Sequence, residues 1–503
     1  MQPPFVLDGR SLTPAAVADV ARRGRLVTLA PAGRARNADA YAAIGTIVAS
    51  GGTVYGVTTG VGPLREVAVD RHAGDASSRR LLRSHAGGGG AEMTIDLVRA
   101  AMVVRANQVA AGGAGLSPGL LDSLVDALNA GLVPAVRELG SLGTGDLSVL
   151  AEIALALLGE GEMIAESSGR RAPAAQALEA AGLRPPELSL RDGLGFVSSG
   201  AASIGHAALV AVDFRGLHDA SLAVGALSFD AGEADTIVLD ARVQAARPHP
   251  GQMAVAERMR HLRGEGDEMP RAARTGASVH DAYPYRCFPQ VEGAMHAVVA
   301  ALDAVLAVEL NAASENALIV AADEVALPNG NFHGGVVALA LDALRPALAQ
   351  SATLAAGRVS LLLDGSFTGL PTMLAEDPGP DSGAMILEYT AHTAAGEVRW
   401  LAAPVSAQAI SVGAGVESHG SLATLGARVA HRAIERAQEI VAVELVLAVR
   451  ALRMRGRRPA AAALRRVYAI AAAELPASLE DRPLHADLEA ARRVLRALVS
   501  EPV

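Results

Sequence analysis

A hydroxyl held between two glycines is the first place in this chain where residue type and spacing permit unusual chemistry. Gly140-Ser141-Leu142-Gly143-Thr144-Gly145-Asp146-Leu147 reads as a tight turn. Leu147, Leu150, Ala154 and Leu157 then recur at three- and four-residue spacing and Gly159 closes the run, so the turn feeds an N-capped amphipathic helix. Thr144 thereby sits on permissive backbone at the positive end of a helix dipole. An ordinary loop-to-helix junction would read the same way, so other residues must decide. Val54 to Pro63 is a glycine-punctuated loop carrying one aromatic hydroxyl, Tyr55. Ser84-His85-Ala86, followed by four glycines, reads as a second mobile loop; it lacks the Gly-Lys-Ser/Thr ending of a phosphate cradle.

The elements that must position these groups are mostly helical. Alanine, leucine and valine dominate a chain of 503 residues that is 51% apolar and only 3% aromatic, which favours packed helices over a β-sandwich. A strand-like Phe5 to Leu7, a helix after Thr13-Pro14, and helices near 94–112, 117–132 and 174–181 are expected. Asp192 to Gly200 then leads into long helical patterns at 201–226, 293–318 (with Ala294, Val298, Ala301, Val305 and Val308 on one face), 334–364 bent at Pro346, and 418–454. In the last, Ile434, Ala437, Val441, Leu445, Ala448 and Leu452 are spaced for a helix–helix seam. The expected fold is mainly α: a long central helical bundle with a loop-rich N-terminal region carrying the active-site turn. The expected division is 1–200 for that region, 201–456 for the bundle and 457–503 for a helical appendix.

The function classes this excludes are several. A net charge of −9 with interspersed signs leaves no basic footprint for nucleic acid. Cys287 is the only cysteine, so no internal disulfide or cysteine-based metal cluster is possible, and a reducing, cytoplasmic location is expected. Dispersed histidines without His-Glu-x-x-His argue against a catalytic metal. The N-terminus lacks a basic region followed by an apolar core, so no signal peptide is expected. The longest apolar run, near Ala294 to Val320, is broken by His296, Asp303, Glu309, Asn311 and Glu315, so no membrane span is expected.

Taken in order, several loops resemble one family, the histidine and aromatic amino acid ammonia-lyases. Tyr55-Gly56-Val57-Thr58-Thr59-Gly60 is similar to its tyrosine loop and Ser84-His85-Ala86 to its selectivity loop. Arg247 to Gln252, Asp281-Ala282-Tyr283 through Arg286, Pro289-Gln290-Val291, Gly330-Asn331-Phe332-His333-Gly334 and Asp381-Ser382-Gly383 resemble further signatures. The resemblance implies an electrophile built from the chain's own backbone, a methylidene-imidazolone (MIO) group, here from Gly143-Thr144-Gly145. It implies Tyr55 as the base, Arg286 as the clamp for the substrate carboxylate, Tyr283 and Asn316 bonding around the amine and carboxylate, and Phe332 packing by the electrophile. His85, Met385 and Glu417 match positions facing the substrate ring; a histidine beside a carboxylate suits an imidazole or a phenol. The implied assembly is a homotetramer whose sites draw on several subunits, and the implied ligand is an amino acid.

The departures from the family pattern lie in the site. The usual triad is Ala-Ser-Gly, and the loop before it is one residue longer. Ser198-Ser199-Gly200 stands for Asn-Gly-Thr, His280 and Glu388 each stand for a glutamine, and Glu292 stands for a histidine. Ser198, His280 and Glu388 therefore join the candidate substrate-binding residues. Five changes around one pocket point to altered or lost chemistry. The readings are an ammonia-lyase on histidine, tyrosine or a related amino acid giving an unsaturated acid; a 2,3-aminomutase; a ring-free lyase using Tyr55 with His280, Glu388 or His392; and a catalytically silent binding homologue.

Overall fold

The computed structural model describes residues 2–70, 74–267 and 279–500. The chain is mainly α, with a long helical bundle and a loop-rich N-terminal region that carries the Thr144 turn. It divides into two compact units, each assembled from separate stretches: Met1–Val212 with Leu302–Leu341 and Pro404–Arg428, and Asp213–Ala301 with Asp342–Ala403 and Val429–Val503. This cut interleaves the sequence, whereas the expected three-part division follows chain order.

In the first unit, helix Ile95–Ala111 is the core element. Every residue from Val98 to Ala110 is buried, and the helices Pro14–Arg23, Pro31–Ala49 and Pro118–Asn129 pack on it. Its polar residues are spent internally. Arg105 pairs with Glu315 at 2.8 Å, both fully buried, and Asn107 Nδ2 donates to Leu310 O at 2.9 Å. Thr13 Oγ1 accepts from Ala16 N at 3.2 Å, capping Pro14–Arg23. Thr13→Ala is expected to cost about 1 kcal/mol, read from denaturant unfolding. The strands are short: Phe5–Leu7 runs parallel to Val27–Leu29, while Gly89–Glu92 with Arg137–Leu139 and Leu318–Val320 with Val325–Leu327 are antiparallel pairs.

The long helices are Ala201–Gly232, Phe288–Glu309, Gly335–Leu363 and Ala423–Met454. Two boundaries differ from the periodicity. Phe288–Glu309 starts earlier than residue 293, because Pro289 fits a first turn, and it ends before the strand Leu318–Val320. Its buried stripe is Met295, Val299, Leu302 and Leu306; of the stripe read from the sequence, Val308 is 65% exposed. Both stripes are apolar, so periodicity could not choose between them. Ala423–Met454 starts after residue 418, because Glu417–Gly420 is a strand and Leu422 takes a left-handed φ of 57°. Its expected seam, Ile434 to Leu452, is buried throughout. By length and composition Asp192–Gly232 and Phe288–Glu309 could cross a membrane, but the apolar window of the first is 94% buried in the protein itself.

The second unit holds a buried polar cluster. His218 lies 3.8 Å from Glu292, whose Oε1 accepts from Ser351 Oγ at 2.8 Å. Burial pulls the His218 imidazole down to about 4 and pushes the Glu292 carboxyl up, against the nearby Arg358 guanidinium that pulls it down. Below about pH 6.5 the unfolded chain takes up a proton on this imidazole that the folded chain refuses until about pH 4. This residue's contribution therefore falls on acidification, by about 3 kcal/mol across the window. Because Glu292 titrates in the opposite sense, the check is a difference: wild type should lose stability relative to His218→Gln as pH falls from 7 to 4.

Candidate active site

The Thr144 turn is held from two sides within the first unit. Thr144 pairs with His333 in an isolated antiparallel bridge, and Leu422 N donates to Leu142 O at 2.8 Å. His333 Nε2 in turn reaches His419 Nδ1 at 3.0 Å. Gly143 and Gly145 have φ of 72° and 90°, a region that side-chain-bearing residues rarely adopt. The helix after the turn begins at Leu147, yet Asp146 does not cap it with its side chain. Instead the fully buried carboxylate accepts from Ser141 Oγ at 2.5 Å, Ser203 N at 2.6 Å and Ser203 Oγ at 2.8 Å. Burial pushes that carboxyl up, against the lowering effect of these bonds. The residue thus ties the turn to helix Ala201–Gly232.

Thr144 opens onto a cavity of about 660 Å³, in the range of small-molecule sites. Tyr55, His85 and Ser198 line it, together with Asn316, Phe332 and Glu417. Seven candidates spread over more than 350 positions of sequence therefore share one cavity, counting Thr144. Gly143 and Gly145 flank Thr144 in the turn and are buried.

Each lining group is oriented by a second contact. Tyr55 Oη accepts from Gly62 N at 2.7 Å, which curls the loop around the phenol. Arg191, 1% exposed, donates to three backbone carbonyls: Ala317 at 2.7 Å, Ala114 at 3.2 Å and Tyr55 at 3.3 Å. Burial pulls its guanidinium down to about 10. Ser198 Oγ accepts from Asn316 N at 3.1 Å, and Asn316 Oδ1 from Asn329 N at 3.1 Å. His85 is not in a loop; it ends helix Gly74–His85, and the glycines after it enter strand Gly89–Glu92. Its Nδ1 lies 2.8 Å from Leu81 O. A carbonyl can only accept, so Nδ1 carries the proton and, in the neutral ring, Nε2 is an acceptor. Among the described residues Glu417 makes no hydrogen bond or ion pair, so the cavity offers two acceptors without competing partners.

The remaining candidates belong to the second unit. Arg286 lies over the Tyr283 ring, 4.6 Å from its centroid, and among the described residues makes no ion pair. Tyr283 is 63% exposed. This is a cation held in place with its charge unspent. His280, three residues before Tyr283, is exposed. Met385 begins helix Met385–Leu401, on which Glu388 accepts from Ser360 Oγ at 2.5 Å; the same hydroxyl lies 3.0 Å from His392 Nε2.

Sequence reasoning missed Arg65 and Glu66, which line the cavity and pair at 3.4 Å. They follow the tyrosine loop closely, and extending that loop by three residues beyond Pro63 would have included both. It also missed Arg191 and Ser421, whose Oγ donates to Gly143 O at 2.7 Å; neither carries a motif, and both act on backbone carbonyls.

The profile described as aromatic amino acid lyase matches residues 12–473. The histidine ammonia-lyase of Symbiobacterium thermophilum is 37% identical over 492 residues, covering 96% of this chain and 94% of the relative. Among solved structures, histidine ammonia-lyase from Trypanosoma cruzi superposes with a TM-score of 0.90 at 29% identity, over 98% of this chain and 94% of the other. Tyrosine aminomutase from Streptomyces globisporus gives 0.93 at 29% identity, over 99% of both chains. With a profile match over nearly its whole length and a relative of this identity, the chain belongs to the aromatic amino acid lyase family.

Proposed function

We propose that this protein is a carbon–nitrogen lyase that eliminates ammonia from histidine, tyrosine or a related amino acid to give an unsaturated acid. The observation that supports it most is the convergence of Thr144, Tyr55, His85 and Glu417 on one cavity. Gly143-Thr144-Gly145 fits an MIO-like group in three respects: small flanking residues, a half-buried threonine lining the cavity, and a Gly143 carbonyl that already accepts two hydrogen bonds. It differs in one, since threonine leaves a methyl on the alkene. When formed, the group supplies an electron-poor alkene that activates the substrate amine as a leaving group.

The chain's own side chains do the rest. Tyr55 takes the β-proton, its ring fixed by Gly62 N–H and its backbone by Arg191. His85 Nε2 and Glu417 accept from ring N–H or O–H donors, favouring an imidazole or phenol over a bare phenyl group. Asn316 and Ser198 border the amine, and Phe332 excludes water beside Thr144. Arg286, steadied by Tyr283, clamps the carboxylate bidentately in a homotetramer in which copies complete one another's sites. The partly exposed apolar face of Phe288–Glu309, on which Ala301 and Val308 are exposed, supplies surface for that assembly. Met385, His280 and Glu388 are assigned to substrate binding on the same basis. The lone cysteine fits a cytoplasmic setting.

The experiment is a panel of amino acids including histidine and tyrosine. Ammonia release with new ultraviolet absorbance is the expected result, and turnover of none would overturn the proposal. The likeness to tyrosine aminomutase favours one second reading, a 2,3-aminomutase, for which a β-amino acid product would be diagnostic.

A further inference from the structure

Two donors converge on the carbonyl oxygen of Gly143. Ser421 Oγ donates at 2.7 Å and Gly334 N–H at 2.9 Å. Ser421 is 2% exposed and Gly143 is buried, so neither bond competes with bulk water. The serine proton points at this carbonyl, because a carbonyl oxygen can only accept, while Ser421 Oγ in turn accepts from Ala423 N at 3.3 Å. The approach is possible only without a side chain at residue 143. A Cβ there would lie 2.2 Å from Ser421 Oγ and 2.7 Å from Ala423 N. Gly334 is less crowded, with a Cβ position 3.0 Å from Ala423 Cβ and 3.3 Å from both Gly143 O and Ser421 Oγ. Leu422, in its left-handed conformation and bonded to Leu142 O at 2.8 Å, holds Ser421 in this place.

We propose that Ser421 Oγ and Gly334 N–H form an oxyanion hole for the maturation of the chain's own backbone, making Ser421 a catalytic residue of ring closure. The inference rests on the ring-bearing reading of Gly143-Thr144-Gly145. In the step it serves, Gly145 N forms a bond to Gly143 C and the carbonyl π electrons move onto the oxygen. Two donors already aimed at that oxygen strengthen as charge develops there. The oxygen then leaves as water with the hydrogens of the Gly145 and Thr144 amides. A second water takes the Thr144 hydroxyl and its Cα hydrogen, and no oxidant or other reactant is needed. The same geometry accounts for the glycine at residue 143: alanine would push the serine off the carbonyl.

The test follows maturation by mass. The full chain is made by cell-free synthesis, digested at intervals, and the peptide carrying residues 141–146 is weighed. Wild type should lose two waters. Ser421→Ala should slow that loss on the order of 10²-fold, the effect of deleting one oxyanion donor. Ser421→Cys, close in size and a weak donor, should fall between, with a thermal unfolding midpoint like wild type. Maturation of both variants at the wild-type rate would overturn the role of Ser421 and leave the ring standing. A wild-type peptide of unmodified mass would overturn the ring and this inference together.

Discussion

Tyr55→Phe is expected to lower kcat on the order of 10²–10⁴-fold, the range for losing a positioned general base. The substitution removes one oxygen and leaves the ring packed in its loop. The Gly62 N–H loses its acceptor, worth about 1 kcal/mol, so the fold should survive. KM should change far less than kcat, because the phenol acts on a proton whose transfer belongs to the transition state. Steady-state rates read by the absorbance of the unsaturated acid separate the two. Unchanged kcat would remove Tyr55 from the chemistry, and a silent scaffold would show unchanged ligand binding with no turnover in either protein.

Glu444→Ala is expected to destabilise the protein by roughly 3–5 kcal/mol, the cost of leaving a buried charge unpaired. Arg358 donates to Glu444 Oε1 at 2.6 Å and Oε2 at 2.9 Å, with both side chains fully buried in the second unit. The guanidinium also lies 4.9 Å from the centre of the Phe288 ring. Removing the carboxylate strands the cation where water cannot reach it. Glu444→Gln should cost less, since it keeps one acceptor. Denaturant unfolding measures both, and a change below about 1 kcal/mol in Glu444→Ala would show that water or a rearranged partner reaches Arg358.

What was legible in the sequence was local. The Thr144 turn and the Tyr55 loop announce themselves because glycines are needed where backbone is strained or crowded: a Cβ on Gly56 would sit 2.1 Å from Leu194 Cδ2. The helical class was legible because alanine, leucine and valine recur at helical spacing over long runs. The partners of the turn were not. Asp146 looks like a helix cap beside Leu147, but its carboxylate is spent on Ser203, and nothing local marks a bond across 57 positions. Ser421 and Arg191 bond to carbonyls, which every residue has, so no motif could name their targets. His85 read as loop because four glycines follow it, although helix Gly74–His85 ends on it. In Phe288–Glu309 two apolar stripes compete, and only tertiary packing selects Met295, Val299, Leu302 and Leu306.

The most direct measurement is the mass of the proteolytic peptide that contains Gly143, Thr144 and Gly145, taken from the fully matured wild-type protein. The account predicts a deficit of two waters, with fragmentation placing both losses within those three residues. A peptide weighing what its sequence dictates would contradict it: the hydroxyl between the glycines would then be an ordinary threonine facing a cavity.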